Sequence, residues 1–410
     1  MNAESQVDEA SPSDPPTIGE AQVTSSFSNE PKPHQVWLNL LSVFLLLYIF
    51  LVGITCLSSG IKGLGGGVMD QYLGADMNPM LALFVGILAT TLVQSSSVTT
   101  SLIVGVVAAG QIPVSSAVPM IMGANIGTTV TCTIASLASA SRTGEFKRAF
   151  AAATCHDFFN VLSVITFLPL ELLTRSITGQ GILERVSGVL AELTTDSTGA
   201  KFDSPIKASF KAGTKVVKHG MEYLSDNPKV VTSLVALAGC IIIFVALTLI
   251  VKVMRGLVLS KMERYINRFL GAGGPVGIVI GIALTVMVQS SSITTSVMVP
   301  LAGAGLVTIQ QVYPITLGAN IGTTITAMLA SMAVSGDSAV AARQIALVHL
   351  CFNLLGILVW YVPPMLRAIP IKGALWMADF AGQSRKKAAA LVFSFFYIVP
   401  ALIFLVSKAL

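Results

Sequence analysis

Residues 77–141 contain no Asp, Glu, Lys or Arg, and neither do residues 269–336. Both stretches are nevertheless dense in Gly, Pro, Ser, Thr, Asn and Gln. A lipid-facing helix has little use for that mixture. It fits where helices break or line a wet cavity inside a membrane protein. The whole chain agrees: of its 410 residues 53% are hydrophobic and 11% charged, against about 25% charged in a soluble domain. A bilayer must be part of its solvent. The net charge of +5 is spread among loops, so no nucleic-acid face is expected.

The two stretches are copies of one another. Residues 86–110 read GILATTLVQSSSVTTSLIVGVVAAG and residues 281–305 read GIALTVMVQSSSITTSVMVPLAGAG. Further on, PMIMGANIGTTVT (119–131) matches PITLGANIGTTIT (314–326) at the same offset. About half of the positions from Gly86 to Leu137 recur in the second copy. A third match pairs His156, Phe159 and Asn160 with His349, Phe352 and Asn353. Duplication of this strength is an architectural repeat.

Apolar stretches of spanning length occur near 36–57, 146–172, 229–252, 339–362 and 388–407. The QSSS region 79–108 has its polar break near the middle. Each arm of about 15 residues makes roughly 22 Å of helix, short of the ~30 Å hydrocarbon core. A re-entrant hairpin is therefore expected, followed by a broken helix carrying GANIGTT. Each copy then crosses the membrane three times, an odd number, so the second starts from the opposite side. The predicted fold is an all-α polytopic membrane protein of two inverted repeats. Its expected parts are a disordered cytoplasmic tail (1–35), a first transmembrane repeat (36–172), an extracytoplasmic loop (173–228), a second transmembrane repeat (229–362), and a C-terminal loop with one extra transmembrane helix (363–410). The cationic runs Lys252–Arg268 and Arg385–Lys387 point to the cytoplasm, and the N-terminus with them.

Ser at a helix start caps free N–H groups, and such half-helix N-termini attract anions. Two QSSS tips at mid-membrane make an anion site of dipoles and hydroxyls; the alternative is small-residue packing. In GANIGTT, Gly123, Gly127, Gly318 and Gly322 are expected to let the helix unwind and free carbonyls for a hard monovalent cation. The alternative is a kinked helix whose Asn and Thr satisfy its own backbone. Asp157 is a carboxylate within an apolar segment, where charge is costly. Its counterpart in copy two is Leu350. Asp157 is read as a functional acid, or else as the partner of His156 or Lys147. The two His are read as structural. Asn160 and Asn353 are helix–helix glue or cation ligands. The five cysteines lack metal-ligand spacing and read as small buried hydrophobes.

The paired QSSS-x-T-T-S and GANIGTT segments, with AFAAATCHDFFN at 149–160, resemble the type II sodium–phosphate cotransporter family over about 36–408. The resemblance implies sodium-driven symport of inorganic phosphate, with sodium as coupling ion and no other cofactor. By motif it assigns phosphate binding to Gln94, Ser95, Ser96, Asn125, Gln289, Ser290, Ser291 and Asn320. It assigns sodium binding to Gln289, Ser290, Thr323, Thr326, Asp157, Asn160 and Asn353. An Asp after the first motif His marks the family's electrogenic members, which Asp157 matches. Ser139 and Arg142 stand where many relatives carry Gln-x-x-Asp, and Ala319 stands where many carry Ser, so one cation site is expected to be built differently.

Three rivals stand beside this reading. An intramembrane hydrolase is disfavoured because Asp157 adjoins His156 on one helix, where neighbours point apart; no enzyme activity is expected. A passive anion channel and a phosphate exporter of the same architecture are the others. Expected partners are phosphate, sodium and lipid, in the inner cell membrane. The oligomeric state stays open, a homodimer among the alternatives.

Overall fold

The computed structural model describes residues 33–64, 77–137, 142–196, 205–269, 274–334 and 338–409. Copy one comprises α1 (Pro33–Leu64), α2 (Pro79–Val93), α3 (Ser96–Ala108), α4 (Val114–Thr128), α5 (Val130–Ser136) and α6 (Thr143–Thr178). Two connecting helices follow, α7 (Ile182–Asp196) and α8 (Pro205–Glu222). Copy two comprises α9 (Pro228–Phe269), α10 (Gly274–Val288), α11 (Ser291–Gly303), α12 (Ile309–Met332) and α13 (Ser338–Trp360). The chain closes with α14 (Pro364–Ala381), α15 (Arg385–Phe393), a π-helical turn Ser394–Ile398, and α16 (Val399–Ala409). Among the described residues there is no strand.

Among the described residues six helical segments are long and apolar enough to cross a bilayer, three from each copy. In copy one they are His34–Leu64, Val114–Ser136 and Thr143–Thr178; in copy two, Pro228–Arg255, Ile309–Met332 and Ser338–Trp360. The QSSS regions are helix–break–helix units with arms of 15 and 13 residues in each copy. Arms of that length reach about 20–22 Å, too short to cross.

Several boundaries move. Residues 1–32 of the expected tail lie outside the described residues, and α1 already begins at Pro33. The expected cationic loop 252–268 is the helical continuation of α9, since nothing between Lys252 and Arg268 breaks a helix. The loop 173–228 opens with the last turn and a half of α6 and then carries α7 and α8. Helix α7 packs on α13, and α8 on α1. Glu171, buried near the end of α6, secures the first of these turns. Its carboxylate accepts from the backbone N–H of Leu183 at 2.7 Å and of Glu184 at 3.3 Å, satisfying donors that a helix start leaves orphaned. Arg175 lies 3.8 Å from Glu171 and 3.1 Å from Glu184. It also donates to the Ser115 carbonyl at 3.2 Å, the group that Pro119, having no N–H, leaves without its helical partner.

The GANIGTT segments correct the sequence reading. Neither is unwound at its glycines. Helix α12 runs unbroken from Ile309 to Met332, and copy one departs from helix only at Thr129, beyond Gly127. The glycines serve close approach instead. A Cβ on Gly123 would strike the Leu83 carbonyl, and one on Gly86 the Met120 carbonyl. In copy two Gly318 faces the Ile278 carbonyl and Gly281 the Ile315 carbonyl. Thus the first arm of each hairpin lies backbone against backbone on its own GANIGTT helix. In lipid, where apolar association gives no hydrophobic gain, such small-residue contacts are what hold helices together. Gly123→Ala and Gly318→Ala are therefore expected to destabilise the protein by about 1–3 kcal/mol each. Size-exclusion profiles after stepwise heating measure this; retention of the wild-type midpoint in both would remove the packing role.

The copies interlock. Helix α1 packs along α9 through Gly60 against Ala236 and Gly239 against Leu57. The second hairpin arm of copy one, α3, packs on α12 and α13 of copy two. The second arm of copy two, α11, packs on α5 and α6 of copy one. Arg148 of α6 donates to the Gly303 carbonyl from both Nε (2.9 Å) and Nη2 (2.6 Å), anchoring the far end of α11.

Candidate functional site

Each hairpin turns at its glutamine. Gln94 and Gln289 have φ of 56° and 57°, the two non-glycine residues with positive φ among those described. A left-handed side-chain-bearing residue is uncommon, and such strain concentrates at functional turns. The following serine caps the second arm in both copies. Ser95 Oγ accepts from Val98 N–H at 3.3 Å and Ser290 Oγ from Ile293 N–H at 3.4 Å. The two N–H groups ahead of each capped one belong to Ser96 and Ser97, and to Ser291 and Ser292. At a helix start they have no intrahelical acceptor and suit an anion. The threonines of QSSS-x-T-T-S turn their hydroxyls back. Thr100 Oγ1 donates to the Ser96 carbonyl at 2.8 Å and Thr295 Oγ1 to the Ser291 carbonyl at 2.9 Å. They stiffen the first turn rather than face a ligand.

The tips differ in exposure. Ser96, Ser97, Thr99 and Thr100 are all buried, while Gln94 is exposed. At the second tip Ser291 is buried and Gln289 half-buried. Gln289 Oε1 accepts from Thr326 Oγ1 at 3.0 Å, and its Nε2 donates to the Val286 carbonyl at 2.7 Å. Two members of the expected sodium set are thereby brought together, on the tip and on the GANIGTT helix. Thr323, also buried on α12, donates to the Ala319 carbonyl at 3.1 Å.

Between the copies lies a buried chain of amides. Asn320 Nδ2 donates to Asn160 Oδ1 at 2.8 Å, and Asn160 Nδ2 donates to the Asn125 carbonyl at 2.8 Å. Asn320 Oδ1 lies 2.7 Å from His156 Nε2. Since the Asn320 amide nitrogen is committed to Asn160, its oxygen must accept, and His156 carries its proton on Nε2. Asn125 returns its own Nδ2 to the Ile121 carbonyl at 3.1 Å. The chain ties α4 of copy one, α6, and α12 of copy two. Both polar atoms of Asn160 are engaged, which fits the role of helix–helix glue and leaves Oδ1 one further lone pair. Copy two does not reproduce the chain: Asn353 Nδ2 bonds back to the His349 carbonyl at 2.9 Å.

Asp157 stands apart from this chain. Neither of its sequence-proposed partners holds it: His156 bonds Asn320, and Lys147 pairs with Asp379 at 2.8 Å. Asp157 Oδ2 accepts from Thr133 Oγ1 at 3.1 Å. Its Oδ1 is buried with no partner among the described residues. The carboxylate borders a cavity of about 100 Å³ whose other walls include Thr133, Thr154 and, from the π-helical turn, Phe395 and Phe396. A carboxylate beside hydroxyls is the donor type a hard cation takes; the rest of this cavity's lining is apolar. Thr133 was missed from sequence; lying 24 residues before Asp157, it carries no local signal. Ser139 lies outside the described residues. Arg142 pairs with Glu145 at 2.8 Å on the surface, so it does not reach this cavity as an ion-pair partner. The five cysteines are free thiols, four of them buried; Cys132 Sγ lies 2.7 Å from Thr295 Oγ1.

No solved structure matches this chain. Among curated proteins, human sodium-dependent phosphate transport protein 2B is 32% identical, over 88% of this chain and 64% of its own length. The 2A protein of Rattus norvegicus is 33% identical, over 95% of this chain and 72% of its own. The 2B protein of Bos taurus is 34% identical over 89% and 64%. The chain thus spans about two thirds of the length of these relatives. The family described as Na+/Pi-cotransporter matches residues 49–183 and 242–369, one segment in each repeated half. With the duplicated hairpins and this double match, the chain belongs to the Na+/Pi-cotransporter family.

Proposed function

We propose that the protein is a secondary active transporter that carries inorganic phosphate into the cell together with sodium. The observation that carries this reading is the pair of hairpin tips. Each places a left-handed Gln, a capping Ser and two orphan N–H groups in a core region free of charged side chains. An anion held by dipoles without a fixed guanidinium binds well only when cations arrive with it, which makes binding conditional on both. The relatives' printed names, sodium-dependent phosphate transport proteins, accord with this. The phosphate ligands are Ser96, Ser291 and the tip N–H groups, with Gln94, Ser95, Asn125, Gln289, Ser290 and Asn320 around them. The sodium ligands are Gln289, Ser290, Thr323 and Thr326 at the second tip, and Asp157 in its own cavity, with Asn160 and Asn353 near the centre. Transport is electrogenic, with divalent phosphate as substrate.

Three spanning segments per copy support an inverted relation between the repeats, because an odd number starts the second copy from the opposite face. The protein then sits in the inner membrane with its N-terminus and the cationic end of α9 cytoplasmic, and with α7 and α8 outside.

Labelled phosphate uptake into proteoliposomes tests the coupling. An inward sodium gradient is expected to drive accumulation, and replacing sodium by choline to abolish it. Equal uptake in choline would sink the symport and favour the passive channel. Arg142→Ala is expected to leave sodium-driven uptake within about twofold of wild type, since its pair with Glu145 is exposed and screened by solvent. A larger loss in that assay would place Arg142 in the cation machinery after all.

A further inference from the structure

A cavity of about 540 Å³ opens beside the second hairpin. Four polar residues, Thr131, Arg255, Ser292 and Ser296, line it together with four apolar ones, Ile293, Val297, Pro300 and Leu301. Ser292 also lends its backbone N–H to the second tip, but its hydroxyl and the side chains of Thr131, Arg255 and Ser296 belong to none of the ligand sets above. Ser292 and Ser296 lie four residues apart on α11 and so share one face. Ser292 is in the first turn after the Gln289 tip, so the cavity runs from that tip to Arg255 near the cationic end of α9. Thr131 Oγ1 is buried with no hydrogen-bond partner among the described residues. Among those residues Arg255 is in no ion pair. One guanidinium and three hydroxyls bordering one cavity are the donor types a tetrahedral oxyanion takes, and Arg is the side chain best matched to it.

We infer that this cavity is a second, release-side anion station, in which Arg255, Thr131, Ser292 and Ser296 hold phosphate after it leaves the hairpin tips. The choice of phosphate as occupant rests on the symport reading; the anion chemistry rests on the cavity. Unlike the tips, this station has a fixed cation. It therefore draws the anion out of the charge-free core without needing sodium, and the exposure of Arg255 lets the anion go.

Two measurements on the full chain test it. In the first, Ser296→Cys is labelled with a charged, membrane-impermeant thiol reagent in detergent, with and without inorganic phosphate and without sodium. Phosphate is expected to slow labelling severalfold. Adding Arg255→Ala is expected to remove that protection, and Arg255→Lys to restore part of it. Absence of protection in the Ser296→Cys protein, or equal protection with Arg255→Ala, overturns the proposal. This readout needs no transport, so it stands even if sodium-driven uptake fails. In the second, phosphate exchange in proteoliposomes separates the two faces. Arg255→Ala is expected to raise the half-saturating phosphate about tenfold on the face that Arg255 borders, the loss of one charge-assisted contact. The opposite face is expected to change less than twofold. An equal change on both faces makes Arg255 structural, and no change on either means that it does not touch the anion. If wild type shows no sodium-driven uptake, the symport reading fails and the labelling result alone decides the cavity.

Discussion

Asp157→Gly is expected to abolish the phosphate-dependent current while phosphate uptake continues. Asp157 is buried on α6, its Oδ2 held by Thr133 and its Oδ1 unpartnered among the described residues. Among the described residues no lysine, arginine or histidine pairs with it: Lys147 is committed to Asp379 and His156 to Asn320. A carboxylate left charged in such surroundings is expensive unless a cation joins it. On the proposed coupling, a sodium ion beside Asp157 and Thr133 removes that cost. If three sodium ions accompany one divalent phosphate, each cycle carries one net charge inward, worth about 2.3 kcal/mol per 100 mV. If Asp157 ligates sodium as proposed, glycine removes one coupling ion, and the hairpin tips are expected to keep their geometry. Voltage clamp of cells expressing the protein, run beside labelled uptake, measures both quantities. Full current in the mutant would mean that the charge moves through another site. No current in wild type would end the electrogenic reading altogether.

Gln289→Ala is expected to lower the maximal rate of sodium-driven uptake more than tenfold. The side chain bridges tip and GANIGTT helix by accepting from Thr326 and donating to the Val286 carbonyl. Alanine leaves the Thr326 hydroxyl without its acceptor, at about 1–3 kcal/mol. It also keeps the left-handed conformation at φ 57°, which only glycine adopts freely. Gln94→Ala is expected to cripple uptake as well, if both tips form one site. The two mutants divide the possibilities cleanly. Loss in both, with wild-type surface expression and size-exclusion profile, supports a shared site. Full activity in either shows that its hairpin serves structure alone.

The hairpins were readable before any coordinates because their signal is local. A polar break inside thirty apolar residues fixes both arm length and turn position. The structure adds that the turn residue is Gln in each copy and that the first serine is a cap. The amide chain was half legible. His156, Asn160 and Asn320 were each singled out, yet nothing in their spacing says that Asn320, 160 residues away, completes the hydrogen bonds of Asn160. Glu171 passed unremarked, because a carboxylate capping a neighbouring helix looks in sequence like any other charge near a membrane edge.

What the sequence by itself determined is the spanning helices that flank the hairpins, the two hairpins, the duplication and the isolation of Asp157 among apolar residues. These depend on composition and periodicity within one or two turns, which the bilayer reads directly as length and polarity. Only the tertiary structure decided how the GANIGTT glycines are used. Glycine permits both unwinding and close approach. The choice fell to packing, since hairpin arms pressing within backbone contact at Gly86 and Gly281 keep those helices intact. The same holds for the partners of Asp157 and Asn160 and for the interlocking of the two copies. Each depends on where helices cross, and a crossing is set by the surfaces of both helices together, not by either sequence alone.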